Sequence, residues 1–264
     1  MMWLLTAAAL AGGPLVSAPG TSTATATTVT SDTLTNCEAL SPVSGDWCHP
    51  SDSPLRLQYN GSAWLSFWGG HLVTPPVHAD WSDLNLQGSS TRTDTGGIQL
   101  LTLDDTGDTL NKQGGTQTVT TGNTWTFGFI HEDLSGDGND LDFTGAGFYE
   151  AGTGKIIFIA WLSGASAAAY RVYRAATLDG AAASTPYSAS AARYEGPVHW
   201  VQLEWSAATI TIRKGPSPVG PWRTVHSEGE GDYFTVDPDS VFWFGSNRSN
   251  LDGLTYQLMH FLEE

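Results

Sequence analysis

Residues 124–130 read Thr-Trp-Thr-Phe-Gly-Phe-Ile, a strict alternation of aromatic with small or polar side chains. A β-strand turns successive side chains to opposite faces, so Trp125, Phe127 and Phe129 share one face while Thr124, Thr126 and Gly128 share the other. The pattern predicts a strand with one buried side. Strand-like runs recur at 55–59, 63–68, 98–103, 116–121, 147–149, 155–162, 170–174, 199–205, 209–213, 241–245 and 254–262. Turn-prone residues separate most of them, and no clear amphipathic helix lies between. Such a chain is all-β, and the short spacing predicts a two-sheet antiparallel β-sandwich rather than a βαβ fold. Trp161, Trp200, Trp205 and Trp243 fall inside these runs and are expected in the core, where large aromatic rings give most of their burial energy. The 264 residues suffice for one large sandwich with a small extra module.

Ahead of the sandwich, two runs flank Asn60-Gly61, a pair that supplies the positive φ angles of a type I′ turn. Residues 34–70 are therefore expected to form a small β-hairpin module. Residues 21–33 are almost all Thr, Ser, Ala and Val, too poor in large apolar groups for a core and suited to an extended linker. The run from Trp3 to Ala11, followed by Val16-Ser17-Ala18, has the look of a signal-peptide apolar region with a cleavage site, but no Lys or Arg precedes it. It is far short of the roughly 20 residues a spanning helix needs. Two readings stand for it: a cleaved leader, or an arm that docks on a neighbouring subunit. The expected organisation is an arm and linker at 1–33, the module at 34–70 and the sandwich at 71–264. Cys37 and Cys48 are close enough in sequence to close a small loop as a disulfide, and equally fit two free thiols of a reducing compartment.

Eleven Lys and Arg stand against 27 Asp and Glu, a formal charge of −16. A phosphate backbone or an anionic membrane surface is repelled by such a chain, so nucleic acid and membrane are not expected as partners.

The carboxy-terminal third carries a more specific pattern. Val198-His199-Trp200-Val201-Gln202-Leu203-Glu204-Trp205 is followed by Thr209-Ile210-Thr211-Ile212-Arg213. Phe244-Gly245-Ser246-Asn247 then leads to Leu251-Asp252-Gly253-Leu254-Thr255-Tyr256-Gln257-Leu258. This order resembles the laminin-G-like, concanavalin A-like jelly-roll domains, including those of bacteriophage structural proteins. There a Trp-x-x-Val strand pairs with a following apolar strand, and a Gly-rich turn leads into a closing strand. The closing strand of that family usually has an acidic pair after its Gly, whereas here Gly253 is followed by Leu254-Thr255-Tyr256. Residues 45–68, with Gly45-Asp46 and Tyr59-Asn60-Gly61-Ser62-Ala63-Trp64, are similar to a small module of phage capsid and tail proteins. The two resemblances imply a non-catalytic virion surface protein: a capsid decoration, head fibre or tail component. Its arm would bind other virion proteins, its role suggests a homo-oligomer, and its jelly roll would face host-surface glycans. A secreted lectin-like protein is the alternative, and a glycoside hydrolase or lyase a third.

The sequence offers little for catalysis. Glucanases on a similar jelly roll carry Glu-x-Asp-x-x-Glu on one strand, with carboxylates about 5 to 5.5 Å apart for retention, and no such run exists here. Glu132 and Asp133 are adjacent, so a strand would send them to opposite faces, and Glu228 with Glu230 reads as a Gly-rich loop. No Gly-x-Ser-x-Gly elbow, P-loop or His-Glu-x-x-His pair is present. Asp133, Asp137, Asn139 and Asp140, with Gly138 at the turn, place oxygens in an order that suits Ca²⁺. The twelfth position from Asp133 is Thr144 rather than a bidentate Glu, which favours a solvated acidic turn, and no cofactor is required. Binding specificity is expected in the segments 163–169 and 181–192, which read as loops.

Overall fold

The computed structural model describes residues 29–264 apart from positions 43, 45, 52, 61 and 69 and the segments 104–110, 132–141, 164–168, 180–181, 189–197 and 247–254. A small sheet pairs β1 (Val29–Asp32), β2 (Trp47–Pro50), β3 (Arg56–Tyr59), β4 (Trp64–Trp68) and β5 (His71–Val73) in that order. The strands that follow are β6 (Ser82–Leu84), β7 (Thr91–Thr95), β8 (Ile98–Thr102), β9 (Gln113–Thr118), β10 (Thr124–His131), β11 (Asp142–Glu150) and β12 (Lys155–Ser163). After them come β13 (Ala169–Ala175), β14 (Ala182–Ser188), β15 (Val198–Ser206), β16 (Thr209–Gly215), β17 (Arg223–Gly229), β18 (Ser240–Ser246) and β19 (Thr255–Glu263). They form two seven-stranded antiparallel sheets. The first has the order β17-β16-β15-β10-β19-β8-β7 and the second β14-β13-β12-β11-β18-β9-β6. Helix is confined to α1 (Leu34–Ala39) and two 3₁₀ turns among the described residues.

The alternation on β10 does what its period dictates. Trp125, Phe127 and Phe129 are fully buried between the sheets with Phe148, Ile157, Ile159, Trp161 and Trp243. Trp125 meets Phe148 edge-on at 6.1 Å and Phe129 meets Trp161 at 5.7 Å. Each such ring contributes roughly 1.5–3 kcal/mol by leaving water. Trp200 of β15 lies on the opposite face, and its indole covers Gly128, its register partner on β10. A Cβ there would come within 2.4 Å of the ring. The run 155–162 has no polar face because both of its faces are covered. Ile157, Ile159 and Trp161 join the core, while Ile156, Phe158 and Ala160 pack outward with Leu84, Ala175, Phe242 and Phe244.

The small sheet docks on the outer face of the first sheet. Leu55 and Val73 pack with Ile98, Trp200 and Met259, and His71 meets Trp200 edge-on at 5.8 Å. Thr74 N–H donates to His260 Nδ1 at 2.8 Å, and Phe261 N–H donates to Thr74 O at 2.9 Å. The expected β3–β4 hairpin forms with Tyr59 opposite Trp64. Asn60 and Gly61 are not the central pair of its turn: Asn60 N–H donates to Ala63 O at 3.0 Å, and the Asn60 carboxamide oxygen accepts from Ser62 N–H and Ala63 N–H. The segment expected as a linker ends in β1, whose residues Val29–Asp32 pair in parallel with Trp47–Pro50. Backbone hydrogen bonding needs no apolar side chain, which is why composition alone did not reveal it. Cys37 of α1 is bonded to Cys48 of β2, with Cα atoms 5.8 Å apart, and the bridge is buried against Leu57 and Trp64.

Candidate functional site

Five strand ends converge at one edge of the sandwich. β12 and β13 bring Trp161 and Tyr170 into register, β15 brings Val198, His199 and Trp200, β16 ends in Lys214 and Gly215, and β17 begins at Arg223. They enclose a cavity of about 320 Å³ lined by Trp161, Val198, His199, Trp200, Lys214, Gly215, Pro216, Pro221 and Arg223. That volume lies at the small end of the range for ligand sites. Trp161 belongs to the second sheet and His199 to the first, and their rings stack across the gap at 4.5 Å. The turn between β16 and β17 forms the lip. Gly220 takes a φ of 83° there, and Ser217 Oγ donates to its carbonyl at 2.6 Å.

The cavity has a basic rim. Lys214 and Arg223 are register partners on adjacent strands. The Lys214 ammonium sits 4.0 Å from the centre of the Tyr170 ring, a cation–π contact that reaches from the first sheet to the second. Burial, reinforced by the charge of Arg223, lowers the Lys214 pKa to about 8. Tyr170 stacks on Tyr187, their hydroxyls 3.4 Å apart, and burial with that hydrogen bond pushes its pKa up to about 12. Trp161 is 4% exposed, and its Nε1–H has no acceptor among the described residues. No carboxylate lines the cavity among the described residues, so the pair that glycosidic hydrolysis requires is not found there.

Of the carboxylates singled out from sequence, Glu228 and Glu230 have structural partners, and Glu132 lies outside the described residues. Glu228 is not in a loop: it lies on β17, an edge strand, where Arg174 and His226 bind it. Glu230, in the 3₁₀ turn Glu230–Asp232, accepts from Trp205 Nε1–H at 2.6 Å. Asp133, Asp137, Asn139 and Asp140 lie outside the described residues. Among those described, no group of three His, Cys, Asp or Glu could hold a metal ion. The segment 181–192, read as a loop, instead contains the edge strand β14 (Ala182–Ser188), where Pro186 is tolerated because one side of the strand needs no ladder partner. A second polar cluster, Asn85, Gln87, Asn111 and Gln113, is joined by Asp179, to which Asn85 Nδ2 and Gln87 Nε2 donate. Asn111 Nδ2 donates to Gln87 Oε1 at 2.6 Å and Gln87 N–H to Gln113 Oε1 at 2.8 Å, which straps the chain around β9 to β6.

No protein-family model and no curated protein matches the sequence. Among solved structures, the chain is similar to the CBM2 module of the evolved Dit of Lactobacillus casei BL23 phage J-1. The TM-score is 0.51 at 11% identity, covering 71% of this chain and 90% of that one. The fold is a concanavalin A-like jelly roll. Weaker likenesses include the carbohydrate-binding module CBM66 from Bacillus subtilis (TM-score 0.42, 12% identity, 70% of this chain and 95% of that one). Another is lectin I-B4 from Griffonia simplicifolia (TM-score 0.41, 13% identity, 71% and 94%). In this jelly roll the cavity sits where the two sheets meet at one end, and its floor is aromatic.

Proposed function

We propose that this jelly roll is a non-catalytic glycan-binding module, carried on a bacteriophage particle, whose ligand occupies the cavity between Trp161 and the lip at Pro216 and Pro221. The observation that carries the reading is the cavity itself: an aromatic and imidazole floor, a polar rim and no facing carboxylates among the described residues. The likeness to a phage carbohydrate-binding module supports both halves of it. In this reading residues 1–33 serve as the arm that binds other virion proteins, 34–70 as the small module and 71–264 as the displayed domain, in a homo-oligomer. No cofactor is needed, and Ca²⁺, if bound, would sit at Asp133, Asp137, Asn139 and Asp140. Two measurements test it. The full chain is screened for binding to neutral and acidic bacterial surface polysaccharides, beside Pro216→Trp, which fills the cavity from an exposed position. Binding by the parent and its loss in the variant are expected; a folded chain silent on the whole panel overturns the glycan reading, and binding that survives the plug overturns the cavity as its site. Purified particles analysed by mass spectrometry should contain the chain, and their lack of it overturns the virion role. The Cys37–Cys48 bond favours a second reading, a secreted glycan-binding protein, because disulfides persist in oxidising compartments. Recovery of the chain free in the medium and not on particles would select that reading.

A further inference from the structure

We infer that the cavity takes the end of a glycan, the terminal sugar unit or pair of units of a chain or branch, and not an internal stretch of a polysaccharide. The inference rests on the glycan reading above and adds the part of the glycan that is recognised. Exposure is divided sharply among the lining residues. Trp161, His199 and Trp200 are buried, whereas Pro216, Pro221 and Arg223, from the β16–β17 turn and the start of β17, are exposed. Among the described residues, the cavity therefore opens on the side of the lip.

Ring contacts back the other sides. Towards the core, Phe129 is fully buried, and its ring lies 5.7 Å from both Trp161 and His199. Behind β15, His71 of the small sheet and His260 stand edge-on to Trp200 at 5.8 and 5.5 Å. Towards β13, Lys214 spans the gap between the sheets to the Tyr170 ring, which is itself stacked on Tyr187. A polysaccharide running through the site would need a second opening along one of these directions, and ring-on-ring packing leaves no passage as wide as a sugar. The lip is braced as well. Ser217 Oγ donates to Gly220 O, and the Trp222 ring lies so close to Gly215 that a Cβ there would come within 2.8 Å of it. Size points the same way: about 320 Å³ gives room for roughly one or two pyranose rings. An open groove gains contacts with every further sugar residue, so its affinity climbs with chain length. A closed cavity gains none once it is filled.

The test takes a polysaccharide that the panel shows to bind and cuts it by partial acid hydrolysis into fragments of about two to ten residues, titrated calorimetrically against the full chain. Molar affinity is expected to stay within about threefold across the series. One of the constituent monosaccharides, in excess, should displace the intact polysaccharide, and Pro216→Trp should bind none of the fragments. A fall of about tenfold or more from the longest fragment to the shortest, with no displacement by any constituent monosaccharide, overturns this inference and leaves glycan binding intact. Length-independent binding that persists in Pro216→Trp also overturns it, because the chain end would then be held elsewhere. Silence of the parent on the whole panel removes the glycan reading and this inference together.

Discussion

His260 should make the protein lose stability on mild acidification, and by a calculable amount. Its ring is 3% exposed beneath the small sheet, with Trp200 edge-on at 5.5 Å. Nδ1 accepts from Thr74 N–H, so the ring must be neutral with its proton on Nε2, which has no partner among the described residues. Protonating Nδ1 would set a donor against a donor in a buried site. Burial accordingly lowers the pKa from 6.5 to about 4. Between those values the unfolded chain binds a proton that the folded chain refuses. Stability conferred by the neutral ring is thus complete above about pH 6.5 and fades as pH falls towards 4. The full difference corresponds to roughly 3 kcal/mol, and about 2.5 kcal/mol of it should be gone at pH 4.5 relative to pH 8. Urea unfolding followed by Trp fluorescence at those two pH values measures it. His260→Asn, whose Oδ1 can still accept from Thr74, supplies the reference. Other groups titrate in the same window. For the Glu228 carboxyl, burial acts to raise the pKa but hydrogen bonds from His226 and Arg174 outweigh it and hold it low. Their contribution is common to both proteins and cancels in the difference. Equal acid sensitivity of parent and His260→Asn would refute the argument.

Two further outcomes follow from the packing. Gly128→Ala drives a Cβ into the Trp200 indole and should cost roughly 1–3 kcal/mol in urea unfolding; a variant as stable as the parent would show that the ring is free to move off β10. Reducing the bond between Cys37 and Cys48, separated by 11 positions, should lower the stability of the small sheet by about 3 kcal/mol from loop entropy, read as faster proteolysis within residues 29–73; unchanged cleavage would count against the estimate.

Most of the architecture was legible in the sequence, and what was missed has one main cause. Nearly every interior strand of the sandwich announces itself by apolar residues, from the alternation on β10 to the unbroken run on β12; the exception is β9, whose Gln-Gly-Gly-Thr-Gln-Thr is interior but has no apolar side chain, so that the run expected at 116–121 overlaps only its end. The other four sandwich strands without such a run are β6, β7, β14 and β17, and these are the edges of the two sheets. An edge strand pairs on one side only, so it can carry Thr-Arg-Thr-Asp-Thr, as β7 does, or Pro186, as β14 does. Periodicity reads burial, and edges bury little. The cavity was hidden for a related reason. Trp161, His199 and Trp200 lie on strands that were read correctly, but their meeting depends on which sheet each strand joins, and Arg223 begins an edge. A signal was present nonetheless: Arg213, Lys214 and Arg223 gather three of the chain's 11 basic residues around one Pro-rich turn.

The location of the site follows from how completely the rest of the jelly roll is occupied. The space between the sheets is filled by rings such as Trp125, Phe127 and Trp243. The outer face of the second sheet is buried around Phe158, Phe242 and Phe244, with the Lys112 ammonium 5.7 Å above the Phe158 ring. The outer face of the first sheet is covered by the small sheet over Trp200 and Met259, and further along it carries the partly exposed Glu204–Arg213 pair and the Thr211–Ser227 contact. Among the described residues, the cavity lies where strands end. At the edge formed by β12, β15, β16 and β17, a floor that is an extension of the core meets cations that the core could not have accepted. Changing the lip leaves untouched the packing that holds the sheets together, which is why Pro216 can be substituted to test the proposed binding while Trp161 cannot.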